Sequence, residues 1–586
     1  MPTSKIYEPD IVSIFVKEKI DKFKNLEAIN SFFKYYCGII DFFSTKEELT
    51  SFLSFVEENE STNRYNGWRG KNKQIEEDKG DYQTNERLAS ECVDYIVSQC
   101  PSSVFELLIE PTCGKGNFIL AALAQITSLK KIIGIEISLA YVWETKLRIL
   151  QFFIKHPHAN KPEIQIINEN VFKYDFNFLS KTTTEYITLI IGNPPWVTNS
   201  RMGAISSENL PLKSNLKKHK GIEAITGKSN FDIGEAILNN LLKNFSGHDG
   251  CLGFLIKSSV VKNRIYEQKS GPFRIGELKS LVINSKQEFG VSVEASLFFA
   301  KLNIAPEFVC SELDFYNSSK ITTFGWENGY YAHSIEKYKL YNEIEGKSPF
   351  EWRQGIKHDC AKIMELEKQG EYFINGLGEH FLIESELVYR LLKSSDLKNK
   401  EASTPRKWTI ITQMKIGGDT AYIEKEYPLA YAYLSANKQY FIKRKSSIYN
   451  NKPDFSIFGV GPYSFAQYKV CISGLYKTTH FSLATSQEKP VMLDDTCYFI
   501  GFENPSYARI AHYLLNREEV QLFIKSIVFP SSKRPITKDI LMRVACDKIY
   551  NSINFNDIKQ HIKGVGLTEW EGFGNMFVRP DNKTIS

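Results

Sequence analysis

Nowhere does the 586-residue chain hold an apolar run near the roughly 18 residues that a membrane helix needs. Its opening, MPTSKIYEPD, lacks the layout of a secretory signal. The ten cysteines are scattered singly, with no Cys-x-x-Cys and no Cys/His grouping at zinc spacing. Reduced thiols, no metal site and a cytoplasmic protein without a membrane partner are therefore expected. A dominant charge is also missing: 73 Lys and Arg against 68 Asp and Glu leave a net +5. That balance permits a nucleic-acid partner, which needs only a local basic groove, without demanding one. A hydrophobic fraction of 42% argues against wholesale disorder. No internal repeat is present, and the length suggests about two to four domains.

What is present changes character along the chain. Residues 1 to 58 carry apolar groups at helical spacing, as in IVSIFVKEKIDKF. The polar stretch STNRYNGWRGKNKQIEEDKGD then reads as a linker or loop. From 82 to 305, short apolar strands alternate with helices, the pattern of a parallel sheet. Strands are expected at 105–110, 131–137, 163–168, 186–192, 251–257, 280–284 and 296–301. In SNFDIGEAILNNLLKNF, Ile233, Ile237, Leu241 and Phe245 share one helical face. Beyond 305 the alternation dissolves, with helical pieces expected near 335–400, an aromatic, strand-rich part near 408–500, and helices again at 506–528.

Two stretches carry chemistry. In LIIGNPPWVTN, residues 189–199, a buried strand runs into Asn193-Pro194-Pro195-Trp196. Each proline lacks a donor N–H and pushes its predecessor into an extended conformation, so the strand stops on a stiff loop. Ligand sites of open α/β sheets lie at such strand ends; the plainer alternative is a surface turn with an incidental tryptophan. In LLIEPTCGKGNFILAAL, a strand turns through Gly114 and Gly116 into a helix, which lets backbone approach a ligand. Glu136 ends the next strand, where a carboxylate can accept both ribose hydroxyls. A GxGxxG dinucleotide cradle needs glycine at 119, where this chain has Ile119. With Glu110 ending the first strand, a nucleoside cofactor carrying positive charge fits better than a pyrophosphate.

The order DYQTNERLA, EPTCGKGNF, GIEIS, IIGNPPW resembles that of DNA adenine-N6 methyltransferases whose cofactor motif X comes first, the gamma class common in type II restriction–modification systems. The resemblance covers 82 to 301 motif by motif and the region after 400 more loosely. It implies an α/β fold: a Rossmann-like S-adenosylmethionine-dependent methyltransferase sheet at 81–305. A helical N-terminal segment and linker at 1–80 would precede it, and an α+β target-recognition region at 306–586 would follow. Asn193 and the Pro194 carbonyl would accept the two hydrogens of an adenine amino group, stiffened by Pro195. Trp196 would stack on the flipped base at about 1–3 kcal/mol, with Phe289 facing it, although such a ring is often simply core. Thr84 would bond the cofactor's methionyl carboxylate, in a motif where Asn85 replaces the family's proline. Glu110, Pro111, Cys113, Gly114 and Gly116 would border the methionyl part, Glu136 the ribose and Asn170 the adenine. No Pro-Cys dipeptide, where a cytosine-C5 enzyme keeps its nucleophile, is present.

Basic and aromatic residues mix most densely in QYFIKRKSSIYNNKPDFSIFGVGPYSFAQYKV, which nominates Lys443, Arg444, Lys445 and Lys469 as DNA contacts. The alternative is an ordinary charged face. Double-stranded DNA is the expected partner and a monomer the expected state, with a cognate restriction endonuclease acting separately. Competing readings are an Asn-Pro-Pro-aromatic methyltransferase acting on RNA bases or a protein glutamine, a polypeptide that also carries a nuclease, and a non-enzymatic DNA-binding module. The second lacks a convincing nuclease motif in 1–80, and the third leaves both motifs without a job.

Overall fold

The computed structural model describes residues 9–23, 25–53, 82–100, 104–197, 232–402, 404–486, 488–530, 532 and 534–577. The chain divides into two compact units, Met1–Gly329 and Tyr330–Ser586. The expected linker at 61–81 lies outside the described residues.

In the first unit, nine strands form one sheet: β1 (Leu107–Glu110), β2 (Lys131–Glu136), β3 (Glu163–Asn168), β4 (Thr188–Gly192), β5 (Gly250–Lys257), β6 (Ile275–Ile283), β7 (Ala295–Leu302), β8 (Val309–Asp314) and β9 (Lys320–Glu327). Their order is β3-β2-β1-β4-β5-β7-β6-β8-β9. Strands β3, β2, β1, β4 and β5 run parallel, and β7 lies antiparallel between β5 and β6. The parallel strands β1 and β4 are buried along their whole length, as continuous apolar runs require when helices cover both faces. All seven strands expected before 305 are present. Strands β8 and β9 extend the same sheet past the boundary drawn at 305, with β8 parallel to β6 and β9 antiparallel to β8. Their half-exposed, mixed sequences give no clean apolar signal.

Helices α1 (Pro9–Phe23) and α2 (Leu26–Cys37) precede the sheet. The chain leaving α2 bridges Ile39 to Ile164, so the outer strand β3 does not present a bare edge. Next come α3 (Glu86–Gln99), α4 (Asn117–Gln125), α5 (Leu139–Lys155), α6 (Phe176–Thr182), α7 (Ile233–Phe245), α8 (Ser258–Gln268) and α9 (Ser285–Phe289). On α7 the four residues of the expected face are all buried.

The second unit mixes sheets and helices. One sheet orders Arg353–Gln354, Cys497–Phe502, Tyr468–Ser473 and Ser482–Thr485; another runs from His380–Phe381 through Glu365–Gln369 to Met492–Leu493. Two expectations hold in part. The helical pieces near 335–400 include Ile335–Tyr341 and Ala361–Met364, but strands Glu365–Gln369, Tyr372–Ile374 and Val388–Leu392 lie there too. The strand-rich part near 408–500 has strands from Tyr468 to Phe502, but it also contains helices Tyr422–Glu426, Pro428–Ala436 and Lys438–Ile442. There Ile423, Leu434 and Phe441 join a buried cluster, so packing overrides the β preference of Tyr, Phe and Ile.

Candidate functional site

The glycine turn sits where the strand order reverses, between β1 and β4. Gly114 and Gly116 have φ of +49° and +75°, the left-handed region that costs other residues strain. A Cβ on Gly114 would lie 2.6 Å from the Gln83 amide, and one on Gly116 2.6 Å from Thr145. The turn is held from β2. Cys113 N–H donates to the Ile135 carbonyl (2.9 Å), and the two Glu136 oxygens accept from Gly114 N–H (2.9 Å) and Ser138 N–H (2.8 Å). Glu136 thereby ties the turn to the end of β2. The glycine missing at 119 is compensated on the strand. Ile119 is buried, and a Cβ on Gly134 would come 3.0 Å from its Cδ1. Close helix–sheet packing is thus achieved from β2.

Glu110 is 2% exposed, and its Oε2 has no hydrogen-bond partner. Burial pushes its carboxyl well above the usual range, opposed by the Ile119 backbone N–H and reinforced by the Glu136 charge. Thr112 Oγ1 and Asn117 Oδ1 are also buried without partners. Leaving several acceptors dry and unpaired is costly unless a ligand brings donors or positive charge. The sequence reasoning missed Thr112 and Asn117; their only signal was membership of the turn.

Residues 82–85 form a strap from this turn to the Asn-Pro-Pro loop. Thr84 is buried and its carbonyl accepts from Asn117 Nδ2. Asn85, standing where the family has proline, caps α3 by accepting from Leu88 N–H at 2.9 Å, so a side-chain cap replaces the rigid ring. From the opposite side, Asn193 Nδ2 donates to the Tyr82 carbonyl (2.7 Å) and Thr84 Oγ1 (3.1 Å). These two contacts assign the amide's orientation and turn Oδ1 away from the strap. That oxygen is buried and accepts nothing. Asn193 directly follows Gly192, where a Cβ would sit 3.5 Å from Pro111 and 3.8 Å from Glu110 Cγ. The ends of β1 and β4 therefore lie against one another at Glu110, Pro111 and Gly192. Thr84 Oγ1 serves Asn193 as acceptor, which leaves its hydroxyl hydrogen to donate.

The expected aromatic pair is also adjacent. Trp196 is 6% exposed, and its indole N–H donates to the Leu255 carbonyl at 3.2 Å. The Phe289 ring lies 4.9 Å from Trp196 at 70°, and Tyr82 lies 5.6 Å from Trp196 and 6.4 Å from Phe289. Sandwiching a base needs rings about 7 Å apart, twice a carbon contact distance, so the two rings as they stand leave no gap for one. Tyr82 is a third ring that the motif order did not single out. At the far end, Asn170 accepts from Phe172 N–H (2.9 Å), shaping its own loop. Ile137, next to Glu136, is an apolar side chain left 49% exposed at the same end of the sheet.

The four proposed DNA-contacting cations part ways. Lys443 and Lys445 are exposed. Arg444 is half-buried, donates to the Ser456 (2.7 Å) and Phe441 (3.1 Å) carbonyls, and stacks 3.6 Å over Tyr449. Lys469 must be withdrawn as a DNA contact: it is 1% exposed, donates to the Ala466 carbonyl (2.6 Å), and burial lowers its pKa to about 8. Its strand position turned a residue that looked cationic and exposed into core. All ten cysteines are free and buried. Among the described residues no acidic, His or Cys group is arranged to hold a metal, and no helix is long and apolar enough to cross a membrane.

A glycine turn, an acidic second strand and an antiparallel β7 beside β5 define the fold of an S-adenosylmethionine-dependent methyltransferase. The chain is 39% identical over 468 residues, 79% of its own length and 95% of the other's, to the type II methyltransferase M.NspV of Nostoc sp.. It belongs to the type II methyltransferases, and S-adenosylmethionine is its cofactor. No protein-family model matches. Among solved structures, the type IIL restriction-modification enzyme MmeI in complex with DNA aligns with TM-score 0.47 and 11% identity, covering 84% of this chain and 71% of that one. The methyltransferase subunit of a type I restriction-modification system from Streptococcus thermophilus aligns with TM-score 0.30 and 13% identity, covering 53% and 69%. Likeness at this level says nothing of activity.

Proposed function

We propose that the chain is a gamma-order DNA methyltransferase that methylates N6 of a flipped-out adenine in duplex DNA, as the modification arm of a restriction–modification system. It would act as a monomer beside a separate endonuclease. One observation carries the reading: Asn193 Oδ1 is buried, unpartnered and fixed in direction by the two bonds its Nδ2 donates to the strap.

An adenine amino group is a poor nucleophile because its lone pair is delocalised into the ring. Asn193 Oδ1 accepts one of its hydrogens and the Pro194 carbonyl the other, drawing the nitrogen toward tetrahedral geometry. The prolines hold the second acceptor still. Neither acceptor is a base at neutral pH, so the proton shed on methylation passes to water. Bound S-adenosylmethionine supplies an electrophilic methyl group on a sulfonium. Glu136 holds the ribose hydroxyls, Thr84 donates to the methionyl carboxylate, and Glu110 with Asn117 Oδ1 answers the cofactor's positive charge. Trp196 offers the stacking face, which offsets part of the few kcal/mol spent on unstacking a base. The second unit reads sequence, with Lys443 and Lys445 as phosphate contacts.

Parallel incubation of the protein and labelled S-adenosylmethionine with duplex DNA, tRNA or protein tests this. Label recovered from DNA as N6-methyldeoxyadenosine is the expected result. Label confined to RNA, to protein or to a cytosine derivative refutes it.

A further inference from the structure

Outside the residues already assigned, a cluster of polar side chains surrounds Glu288. Its side chain is 2% exposed although it sits on the five-residue helix α9. It accepts from Arg87 Nη2 at 2.6 and 2.8 Å, from Asn85 Nδ2 at 3.1 Å and from the Tyr316 hydroxyl at 3.1 Å. Tyr316 also accepts from Asn284 N–H, at the cap of α9 (3.1 Å), and Arg87 is braced from behind by Glu91. Burial would raise the Glu288 pKa, but these donors outweigh it and hold the carboxyl below its usual range.

A helix of five residues has no stability of its own. Charge-assisted bonds are therefore the means of fixing α9, and their attachment points are informative. Asn85 follows Thr84, which binds Asn193; Glu288 precedes Phe289, whose ring packs edge-on against Trp196. One carboxylate thus joins the strap that orients the acceptor to the segment that carries the ring. We propose that Glu288 is a positioning residue for methyl transfer: it anchors α9 to the strap, so that Phe289 opens and closes over Trp196 by side-chain rotation on a stationary backbone. This rests on the assignment of Phe289 to the flipped base.

The test is a double-mutant cycle on the full-length chain with unmethylated duplex DNA and labelled S-adenosylmethionine. Glu288→Gln should lower kcat by roughly ten- to a hundredfold, the worth of a charge-assisted bond, with cofactor affinity and melting temperature close to those of the parent. In a Phe289→Ala background the same change should cost less than about twofold, because interacting sites are not additive. An equal loss in both backgrounds, or parallel losses of kcat, cofactor affinity and melting temperature, overturns the proposal. So does unchanged turnover in Glu288→Gln while Phe289→Ala is impaired, a result that spares the base-ring reading. If Phe289→Ala itself turns over normally, that parent reading fails. Tyr316→Phe removes one donor and keeps the ion pair; should Glu288→Gln not fold, a smaller loss of kcat with Tyr316→Phe supports the anchor and no loss refutes it.

Discussion

Removing the Asn193 side chain separates catalysis from architecture. Asn193→Ala deletes the unpartnered Oδ1 and the two bonds that Nδ2 makes to Tyr82 and Thr84. Loss of one preorganised polar group at a reacting centre costs about 10²–10³ in kcat, or about 2.7–4 kcal/mol. The two lost neutral bonds weaken the fold by about 1–3 kcal/mol in total. Cofactor affinity should change little, because Asn117 still binds the Thr84 carbonyl and Glu136 still secures the turn. Single-turnover methyl transfer at saturating DNA, calorimetric titration of the cofactor and thermal melting separate the three effects. A kcat loss below about tenfold, or a loss wholly explained by weaker cofactor binding, would remove Asn193 from the chemistry.

Three further outcomes are expected. Glu110 has a raised pKa, and a cation beside it favours the ionised form, so binding expels a proton. Cofactor affinity measured by calorimetry should rise with pH until the free carboxyl ionises, and Glu110→Gln should flatten that slope. Replacing Lys443 and Lys445 together should lower the slope of log affinity against log salt by about 2, whereas Arg444→Ala should lower the melting temperature because its guanidinium is packed on Tyr449. An unchanged salt slope would place those two lysines away from the duplex. Lys469 titrates near 8 when folded against 10.5 ordinarily, so the folded state binds fewer protons between these values and stability climbs with pH across that window. Lys469→Met should therefore stabilise by up to about 3 kcal/mol below pH 8, with the gain fading by pH 10.5; denaturant melts showing a pH-independent difference would refute this.

What was legible beforehand and what was not divide along the chain. Prolines 194 and 195 end β4 whatever surrounds them, and Gly114 and Gly116 adopt positive φ because only glycine does so without strain. The apolar period of α7 and the buried runs of β1 and β4 likewise follow from local pattern. These features placed the methyltransferase sheet, the turn and the Asn-Pro-Pro loop from sequence alone. The hold of Tyr82 and Thr84 on Asn193 joins residues more than a hundred positions apart, and the Glu288 cluster spans about two hundred. No local period records such bonds. The same reason covers Arg444 and Lys469, which read as surface cations until their neighbours are known. Sequence by itself determined which backbone stiffens and which strand is buried, because sterics and hydrophobicity act over a few residues. Only the tertiary structure decided which polar atoms are paired and which remain free to bind, because that depends on partners brought together by folding.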